Sequence, residues 1–181
     1  MSDLNEKIKL LERQLSETRI ALNHLEQHSR RWAIRIHGLP PPTDPRQEQA
    51  KQVSSTFLKD KLNLNIPVSE IDCAHRVGIV RNNQQSMLVK FFRRDFVDDI
   101  ITQRHKLKQT PYVIHEDATL ENRRLLNRLA NHNEIERAWL LRGTVWAKSK
   151  SGLKFKCDLF DDINAKINKV SENSNIISFD F

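Results

Sequence analysis

The sequence contains few of the residues that mark several common protein classes. Only four glycines and six prolines occur among 181 residues, which excludes collagen-like and low-complexity chains. The two cysteines, Cys73 and Cys157, are far apart and lack the paired spacing of metal ligands, so we expect buried free thiols. No stretch approaches the roughly 18 apolar residues that a membrane span requires. The chain starts without the apolar core of a secretory signal. We expect an intracellular protein, cytoplasmic or also nuclear, with no membrane partner.

Signatures of catalysis and of metal binding are also lacking. The sequence has no glycine-rich phosphate loop and no nucleophile elbow. Its adjacent acidic pairs, Asp98–Asp99 and Asp161–Asp162, make poor metal clamps, because neighbours on a helix diverge by about 100°. Among the scattered histidines, only His24 and His28 share a helix face, where a solvated surface is the simpler interpretation. We therefore expect no enzymatic activity, no metal and no cofactor.

The excess positive charge lies in the middle of the chain. The formal net charge is +7, and residues 1–30 contribute nothing to it, with five Lys/Arg against five Asp/Glu. Residues 31–110 carry fourteen basic and eight acidic residues, whereas residues 111–181 carry eleven and ten. A basic middle between nearly neutral ends is typical of a surface that binds phosphate.

The first thirty residues predict a coiled-coil helix. Residues 3–30 contain no glycine or proline, and a helix of that length spans about 42 Å, which is long for so small a protein. Apolar residues recur at heptad spacing, in a stripe narrow enough to be a seam between helices. An amphipathic helix packed on its own domain is the alternative. We expect homo-oligomerisation, as a parallel dimer or trimer, through Leu4, Ile8, Leu11, Leu15, Leu22 and Leu25.

The middle of the chain predicts a β-α-β-β-α-β order. The segment Arg31–Pro40 alternates apolar and polar residues like a half-buried strand, and the prolines that follow Gly38 end it. Asp44 and Pro45 fit the N-cap and the first position of a helix. This order is the split βαβ, or ferredoxin-like, arrangement, which RNA-recognition domains use. The later elements are expected at 47–64 (helix), 71–77 (strand), 85–92 (strand), 94–107 (helix) and 112–114 (strand), with a turn at 78–84.

The last third of the chain predicts a further small α/β domain. A helix is expected at 116–131, short strands at 138–141, 144–148 and 153–157, a helix at 161–170 and an apolar tail at 176–181. The predicted fold class is thus α+β, in three parts. They are an N-terminal coiled-coil helix (residues 1–30), a ferredoxin-like, RNA-recognition-type domain (31–115) and a small C-terminal α/β domain (116–181).

A series of short motifs gives the chain a family resemblance. The segments are Arg31–Pro40 (RWAIRIHGLP), Ile71–Gly78 (IDCAHRVG), Met87–Phe92 (MLVKFF), Thr119–Leu126 (TLENRRLL) and Ala138–Lys148 (AWLLRGTVWAK), the last followed by Gly152–Cys157. With these, the chain resembles the first open-reading-frame protein of LINE-type retrotransposons. It also resembles the related few-polyhedra (FP) proteins of baculoviruses. The resemblance spans nearly the whole chain and implies a coiled coil, an RNA-recognition-like domain and a small C-terminal domain.

The resemblance implies a self-associating protein that binds single-stranded nucleic acid without catalysis. If the retrotransposon likeness applies, the chain packages RNA in the ribonucleoprotein of the element. If the baculovirus likeness applies, it is a structural or interaction protein involved in virion and occlusion-body formation. The partners are then single-stranded RNA or DNA and further copies of the chain. The sequence leaves open RNA against DNA, dimer against trimer, and a transposon against a viral origin.

The outward positions of the predicted sheet depart from ordinary RNA-recognition domains. Those domains stack bases on aromatic rings of their first and third strands. Here the equivalent positions are Arg35, Ser86 and Leu88, and only His37 and Phe92 remain nearby for stacking. We therefore expect binding that is nearly blind to base sequence and driven by contacts to phosphate.

The candidate binding residues are basic side chains at strand ends and along one helix. We expect the nucleic acid to lie between the middle and C-terminal domains, because both contribute such residues. For each of them a solvated surface charge is the alternative, and for Arg124 a salt bridge to Glu121 or Asp117. The candidates are Arg30, Arg31, Arg35, His75, Arg76, Lys90, Arg93, Arg94, Arg123, Arg124, Arg128 and Arg142.

Overall fold

The computed structural model describes residues 2–177 and the side chains of residues 3–171. These residues form two compact units, each with its own apolar core. One unit is Arg30–Asp117, and the other combines the first helix, up to Ser29, with the residues after Asp117. The apolar tail expected at 176–181 lies outside the residues whose side chains are described.

The chain is a mixed α+β protein, which confirms the predicted class. It has a long N-terminal helix, antiparallel sheets of four and three strands, and further helices. The N-terminal helix, α1 (Ser2–Arg30), runs without a break because its sequence holds no glycine or proline. In the described part of the chain, none of the helices has the length and apolar character needed to cross a lipid bilayer.

The unit Arg30–Asp117 has strands and helices in the order β-α-β-β-α-β. Its elements are β1 (Ala33–His37), α2 (Ala50–Leu62), β2 (Ile71–Arg81), β3 (Gln84–Phe91), α3 (Arg94–Gln103) and β4 (Val113–Glu116), with 3₁₀ turns at Val68–Glu70 and Arg104–Leu107. The strands form one sheet in the order β2-β3-β1-β4, and every neighbouring pair is antiparallel. β1 therefore lies between β3 and β4, with hydrogen-bonded neighbours on both sides.

The alternation of buried and more exposed side chains along β1 and β3 shows which side of this sheet the helices cover. Ile34 and Ile36 of β1 and Val89 of β3 are fully buried, and they share one core cluster with Leu58 of α2 and Ile100 of α3. Successive side chains of a strand point to opposite faces. The helices thus cover one side of the sheet, and the intervening residues of the strands project from the other side.

The predicted start of α2 is wrong by several residues. α2 begins at Ala50, and its N-cap residue, Gln49, makes no side-chain capping bond. Asp44 instead accepts a hydrogen bond at 2.9 Å from the backbone N–H of Arg46. A short polar side chain stabilises a turn as readily as a helix cap, so the residue types alone do not separate the two outcomes.

The turn predicted at 78–84 is shorter in the structure. β2 continues to Arg81, and Asn82 and Asn83 alone form the turn, with φ of 50° and 56°. Asparagine tolerates the left-handed region, and two such residues suit the type I′ turn of a hairpin. Ile79 and Val80 consequently lie in an exposed extension of the strand.

The second unit contains a three-stranded sheet and two helices besides α1. Its elements after Asp117 are α4 (Leu120–Ala130), β5 (Ile135–Leu141), β6 (Thr144–Ser149), β7 (Lys154–Cys157) and α5 (Ile163–Ile177). The sheet order is β5-β6-β7, with antiparallel neighbours. Leu129 of α4, Val145 of β6, Phe155 of β7 and Ile163 of α5 form the buried centre of this unit.

A polar face of α1 packs on this second unit. Asn23 and Gln27 are 4% and 3% exposed. The Nδ2 of Asn23 donates to the Oδ1 of Asn122 at 2.9 Å, and the hydroxyl of Thr119 donates to the Oδ1 of Asn23 at 2.6 Å. The Oε1 of Gln27 accepts from the backbone N–H of Thr119 at 3.0 Å and from the Nδ2 of Asn122 at 2.8 Å. The helix and the C-terminal residues are therefore one unit, whereas the sequence suggested two separate parts.

Candidate nucleic-acid interface

The side of the four-stranded sheet opposite α2 and α3 carries a row of polar side chains; we call this side the outer face. The strand register places His75 of β2 beside Leu88 of β3, Leu88 beside Arg35 of β1, and Arg35 beside His115 of β4. These four residues cross the whole sheet at one level. Arg35 and Leu88 lie outward as the sequence predicts, because their neighbours along the strands fill the core.

Imidazole rings supply the aromatic groups of the outer face. The Nδ1 of His37 lies 2.8 Å from the hydroxyl of Ser86, which fixes the orientation of the ring on its strand. The rings of His37 and His115 have centroids 5.7 Å apart and are tilted by 60°. His75 and His115 are exposed, and His37 is half-buried. Histidine is one of the side chains on which proteins stack unpaired bases.

Partial burial and nearby positive charge keep two of these rings neutral. Burial, followed by the charge of Arg35, lowers the pKa of His37 below its ordinary value. Burial, followed by His37 and Arg104, likewise lowers the pKa of His115. Near neutral pH both rings are therefore uncharged and available for stacking, while Arg35 carries the permanent charge of this patch.

Two of the candidate arginines share one buried carboxylate. The Nε of Arg35 lies 2.6 Å from one oxygen of Asp117, and the Nη1 of Arg30 lies 2.8 Å from the other. The Asp117 side chain is only 3% exposed. Its backbone N–H donates to the carbonyl of Ala33 at 3.0 Å, which holds it at the end of β1. These two arginines thus neutralise an internal charge as well as bordering the outer face.

Arg76 is part of a structural ion pair. Its guanidinium contacts both carboxylate oxygens of Glu48, with a shortest distance of 2.7 Å, and donates to the carbonyl of Gln85 at 2.9 Å. The two side chains are only 12% and 10% exposed. A paired guanidinium with this little exposure has few donors left for a ligand, so Arg76 fits a structural role better than either binding or the solvated surface charge that was its alternative.

The remaining candidates of this unit each have an acidic neighbour or lie against a ring. Lys90 pairs with Asp72 at 2.9 Å, and the hydrogen bond to that carboxylate raises the pKa of Lys90. Near the start of α3, Arg93 forms an exposed ion pair with Asp95 at 2.6 Å. Arg94 forms a partly exposed ion pair with Asp98 at 3.9 Å. Exposed pairs of this kind open at little cost, so these cations stay accessible to phosphate. Separately, the guanidinium of Arg31 lies 5.5 Å from the ring centre of Trp32.

The last four candidates belong to the other unit. On α4, Arg123 is exposed, Arg124 pairs with Glu121 at 2.8 Å, and Arg128 donates to the carbonyl of Asp161 at 3.4 Å. The salt bridge to Glu121 is the alternative that the sequence offered for Arg124. Arg142 lies in the β5–β6 turn with a φ of 51°. The expectation that nucleic acid lies between the two units stays a prediction.

Sequence reasoning missed His115 of the outer face and the acidic partners of three candidate arginines. His115 lies on the short edge strand β4, where a single polar residue carries no signal of its own. Asp117 and Glu48 are separated from their arginine partners by 82 and 28 residues, so no local pattern pairs them. Burial alternates along β4, but its exposed residues are Val113 and His115 and its buried ones are Ile114 and Glu116, so polarity alone does not place His115 outward.

Metal-ligating side chains do not cluster in the described part of the chain. Within residues 3–171 no group of three or more His, Cys, Asp or Glu side chains is arranged to hold a metal ion. His24 pairs with Asp158 at 2.8 Å. Cys73 and Cys157 are free thiols, and burial raises the pKa of Cys157 to about 11, so that thiol is unreactive near neutral pH.

The predicted oligomerisation stripe of α1 is exposed. Its members expose between 45% and 69% of their surface, although all are large aliphatic side chains. They lie on a different side of the helix from Asn23 and Gln27, which dock on the second unit. A contiguous apolar strip of this size marks an interaction surface more often than a solvated one. The members are Leu4, Ile8, Leu11, Leu15, Leu22 and Leu25.

These features of fold and surface stand without support from known relatives. No protein-family model matches the chain, and no curated protein matches it significantly.

Proposed function

We propose that this chain is a non-enzymatic, self-associating protein that binds single-stranded nucleic acid. The role that fits it best is the packaging of RNA in the ribonucleoprotein of a LINE-type retroelement. The proposal includes a ferredoxin-like, RNA-recognition-type arrangement for Arg30–Asp117. The strand order β2-β3-β1-β4 and the two helices on one side of the sheet support that arrangement.

The observation that carries the proposal is the row of residues across the outer face. Arg35 and His115 are direct partners on adjacent strands, and His75 lies beyond Leu88 at the same level. Imidazole rings and the ring-like guanidinium plane offer flat surfaces to unpaired bases, and the guanidinium also attracts phosphate. Flat surfaces without a fixed pattern of donors and acceptors accept every base. The outer face therefore suits a single strand of any sequence.

The ion pairs lower the expected dependence of binding on salt. Each phosphate that a protein neutralises on a single strand contributes about −0.7 to the slope of log affinity against log salt. Arg30 and Arg35 already neutralise Asp117, and Arg76 neutralises Glu48. We expect a slope of about −2, shallower than about −3.5 for five unpaired cations. Stacking then supplies a larger share of the affinity than charge alone.

Self-association multiplies a binding site of modest strength. Copies joined through the exposed stripe of α1 present several outer faces to one strand. Linked sites raise the overall affinity by about a hundredfold or more without any new contact, provided that the strand reaches them together. This multiplication is what a protein that coats long RNA requires.

The test compares an outer-face variant with a control on the opposite side of the sheet. The double variant His75→Ala/His115→Ala removes two exposed rings, and Lys59→Ala removes an exposed cation of α2. Fluorescence anisotropy with labelled oligo(U) and oligo(dT) measures affinity at about 50 mM and about 200 mM salt. We expect the double variant to bind about fivefold to a hundredfold more weakly, because each stacked base contributes about 1–3 kcal/mol. The control should bind like wild type.

Two results would overturn the proposal. The first is an absence of binding by the wild-type chain at low salt. The second is an equal affinity of the double variant and of wild type for every oligomer. Nuclease or other catalytic activity that a carboxylate substitution abolishes would contradict its non-enzymatic part.

A second candidate function rests on the exposed stripe of α1. If the helix is the active part, the chain is a structural or interaction protein similar to the baculovirus few-polyhedra proteins. The observation in its favour is that six large aliphatic side chains are exposed along one helix. Self-association without any affinity for single-stranded nucleic acid would select this function over the first.

A further inference from the structure

The outer side of the three-stranded sheet of the second unit presents two tryptophans in direct register. Trp139 of β5 and Trp146 of β6 are paired across the strands, and Trp146 is paired with Lys156 of β7. Both rings are partly exposed. Their neighbours along the strands, Leu140 and Val145, are buried in the core, so the rings project from the uncovered side.

Cations surround these two rings. Two positions along the strands from the tryptophans, Arg137 is paired with Lys148, and Lys148 is paired with Lys154. These three side chains lie on the same side of the sheet as the two rings. The guanidinium of Arg137 lies 5.0 Å from the ring centre of Trp139. The ammonium of Lys156 lies 5.4 Å from the ring centre of Trp146. We call the six residues Trp139, Trp146, Arg137, Lys148, Lys154 and Lys156 the tryptophan face.

One carboxylate offsets part of this charge. Glu136 pairs with Lys148 at 2.5 Å, and that hydrogen bond lowers the pKa of Glu136. The extra residue of a bulge at the start of β5 leaves Glu136 and Arg137 both exposed. The tryptophan face thus keeps three cations that are not paired with Glu136, next to two large rings.

We propose that the tryptophan face is a second binding surface for single-stranded nucleic acid, on which consecutive bases stack on Trp139 and Trp146. Aromatic rings for the bases and cations for the backbone are the combination that sequence-tolerant single-strand binders use. Directly opposite residues of antiparallel strands have Cα atoms about 4.5–5.5 Å apart, and stacked nucleotides rise about 3.4 Å along a strand. A slightly extended single strand of nucleic acid therefore places one base on each of the two rings.

The positive charge around the two rings indicates which class of partner the tryptophan face binds. Exposed tryptophans also occur at the centres of protein interfaces, but those centres are depleted of lysine. Here three of the six residues are lysines and one is an arginine. The cations near the rings lie on exposed side chains, so they are free to move to the phosphates on either side of a stacked base. The surface is therefore complementary to a polyanion that carries flat groups.

This inference rests on the proposed function, because the ligand class is the same, but it concerns a different surface. The two ideas fail independently. The proposed function fails when wild type does not bind single strands at all. The inference fails when wild type binds them and the tryptophan face does not take part.

The experiment uses the intrinsic fluorescence of the full chain. The protein contains three tryptophans, so a Trp32→Phe background leaves only Trp139 and Trp146 as emitters. Oligo(dT) of about 12 nucleotides is compared with an abasic oligomer of equal length, which carries the charge without the bases. We expect the base-containing strand to quench the emission strongly and the abasic strand to leave it nearly unchanged.

Affinity gives the second readout. The variant Trp139→Leu/Trp146→Leu should bind oligo(dT) about fivefold to a hundredfold more weakly, with an unchanged salt slope, because it removes stacking and no charge. Phe160→Leu is the matched control: Phe160 is an exposed ring of the same unit that lies 5.0 Å from the Arg19 guanidinium. It should bind like wild type.

If the tryptophan variant does not fold, a variant that removes positive charge from the same face still tests the proposal. Lys154→Ala/Lys156→Ala changes two exposed residues of β7 and should flatten the salt slope by about one unit. Equal quenching by the abasic strand, or wild-type affinity in both the folded tryptophan variant and the lysine variant, would overturn the inference. A loss of oligomer mass in the tryptophan variant with no loss of affinity would also overturn it, and would identify a protein interface instead.

Discussion

The imidazoles of His37 on β1 and His115 on β4 lie with ring centroids 5.7 Å apart on the outer face of the four-stranded sheet. Partial burial lowers the pKa of both imidazoles, and it is assisted by the charge of Arg35 at His37 and by His37 and Arg104 at His115. His75, in the same row as Arg35, is the third imidazole of this face. A polyanion at this position compensates the charges that oppose protonation. If nucleic acid binds to this face as proposed, its binding and the uptake of protons are coupled.

The affinity for single-stranded nucleic acid should rise as the pH falls. Because the pKa values of His37 and His115 are lowered in the free protein, both rings bind protons more readily when phosphate is nearby. We expect affinity to increase by about threefold or more between about pH 7.5 and about pH 5.5. The double variant His37→Gln/His115→Gln should lose most of this increase. Anisotropy titrations at several pH values provide the measurement, and a flat profile in wild type would contradict the coupling.

The same two histidines should make the free protein less stable in acid. Their folded-state pKa values lie below the unfolded value, so the unfolded chain binds more protons below about pH 6.5. Their contribution to stability is complete above that pH and is lost as the pH falls through the folded-state pKa values. We expect urea denaturation to show a free energy of unfolding that decreases with acidity, and less steeply in His37→Gln/His115→Gln.

Removing the charge of Asp117 should destabilise the unit Arg30–Asp117. Asp117→Asn keeps the shape of the side chain but removes the negative charge that Arg30 and Arg35 both contact. Fully buried pairs cost about 3–5 kcal/mol to break, and we expect about 2 kcal/mol here because the arginines are partly solvated. Asp95→Asn, at an exposed pair with Arg93, should leave the urea midpoint unchanged. Equal midpoints for both variants would refute a structural role of the Asp117 pair.

Polar substitutions in the stripe of α1 should abolish self-association. Leu11→Gln/Leu15→Gln places amides at two exposed seam positions, 62% and 61% exposed, where a partner helix would bury them. Sedimentation should give the mass of a monomer. Leu10 lies on the same helix away from the stripe, so Leu10→Gln should keep the wild-type mass. If the double variant also kept that mass, the coiled-coil interpretation would be wrong.

The amide network should be required for the docking of α1. Asn122→Ala removes a partner of both Asn23 and Gln27: the buried Nδ2 of Asn23 loses its acceptor, and the Oε1 of Gln27 loses one of its donors. Each such group costs about 1–3 kcal/mol, so we expect a loss of about 2 kcal/mol in the free energy of unfolding. Asn127→Ala changes an exposed residue of the same helix and serves as the control. Two variants with the stability of wild type would show that the network contributes nothing.

Local patterns were sufficient for most of the secondary structure. The alternation of Ile34 and Ile36 with Arg35 and His37 predicted both β1 and its covered side, because the side-chain period of a strand is two. The absence of glycine and proline predicted α1. The turn before β3 was predicted to be too long. Asn82 and Asn83 alone form a tight turn, but polar residues of this kind occur in longer loops as well, so composition does not give the length of the turn.

Contacts between distant segments were beyond the reach of the sequence. Nothing near Arg35 indicates that Asp117 is its partner, and nothing near Gln27 indicates that the start of α4 is where it docks. Heptad reasoning attends to apolar positions, so it made no prediction for Asn23, which is buried. The candidate site was predicted mainly as a set of charges, whereas many of these charges are paired with carboxylates, and the ring of His115 was overlooked.

The exposed leucine stripe and the residues that dock on the C-terminal part of the second unit lie on different sides of α1. This separation determines the arrangement of any helical bundle that α1 forms. Leu22 and Gln27 are five positions apart, which separates them by about 140° around the helix axis. One of them is exposed, and the other is bonded to Thr119 and Asn122. A parallel bundle closed through the leucines would carry one C-terminal lobe for each helix, on the side of the helix away from the seam. The number of tryptophan faces in such an oligomer would equal the number of chains, so its valency would follow from its stoichiometry.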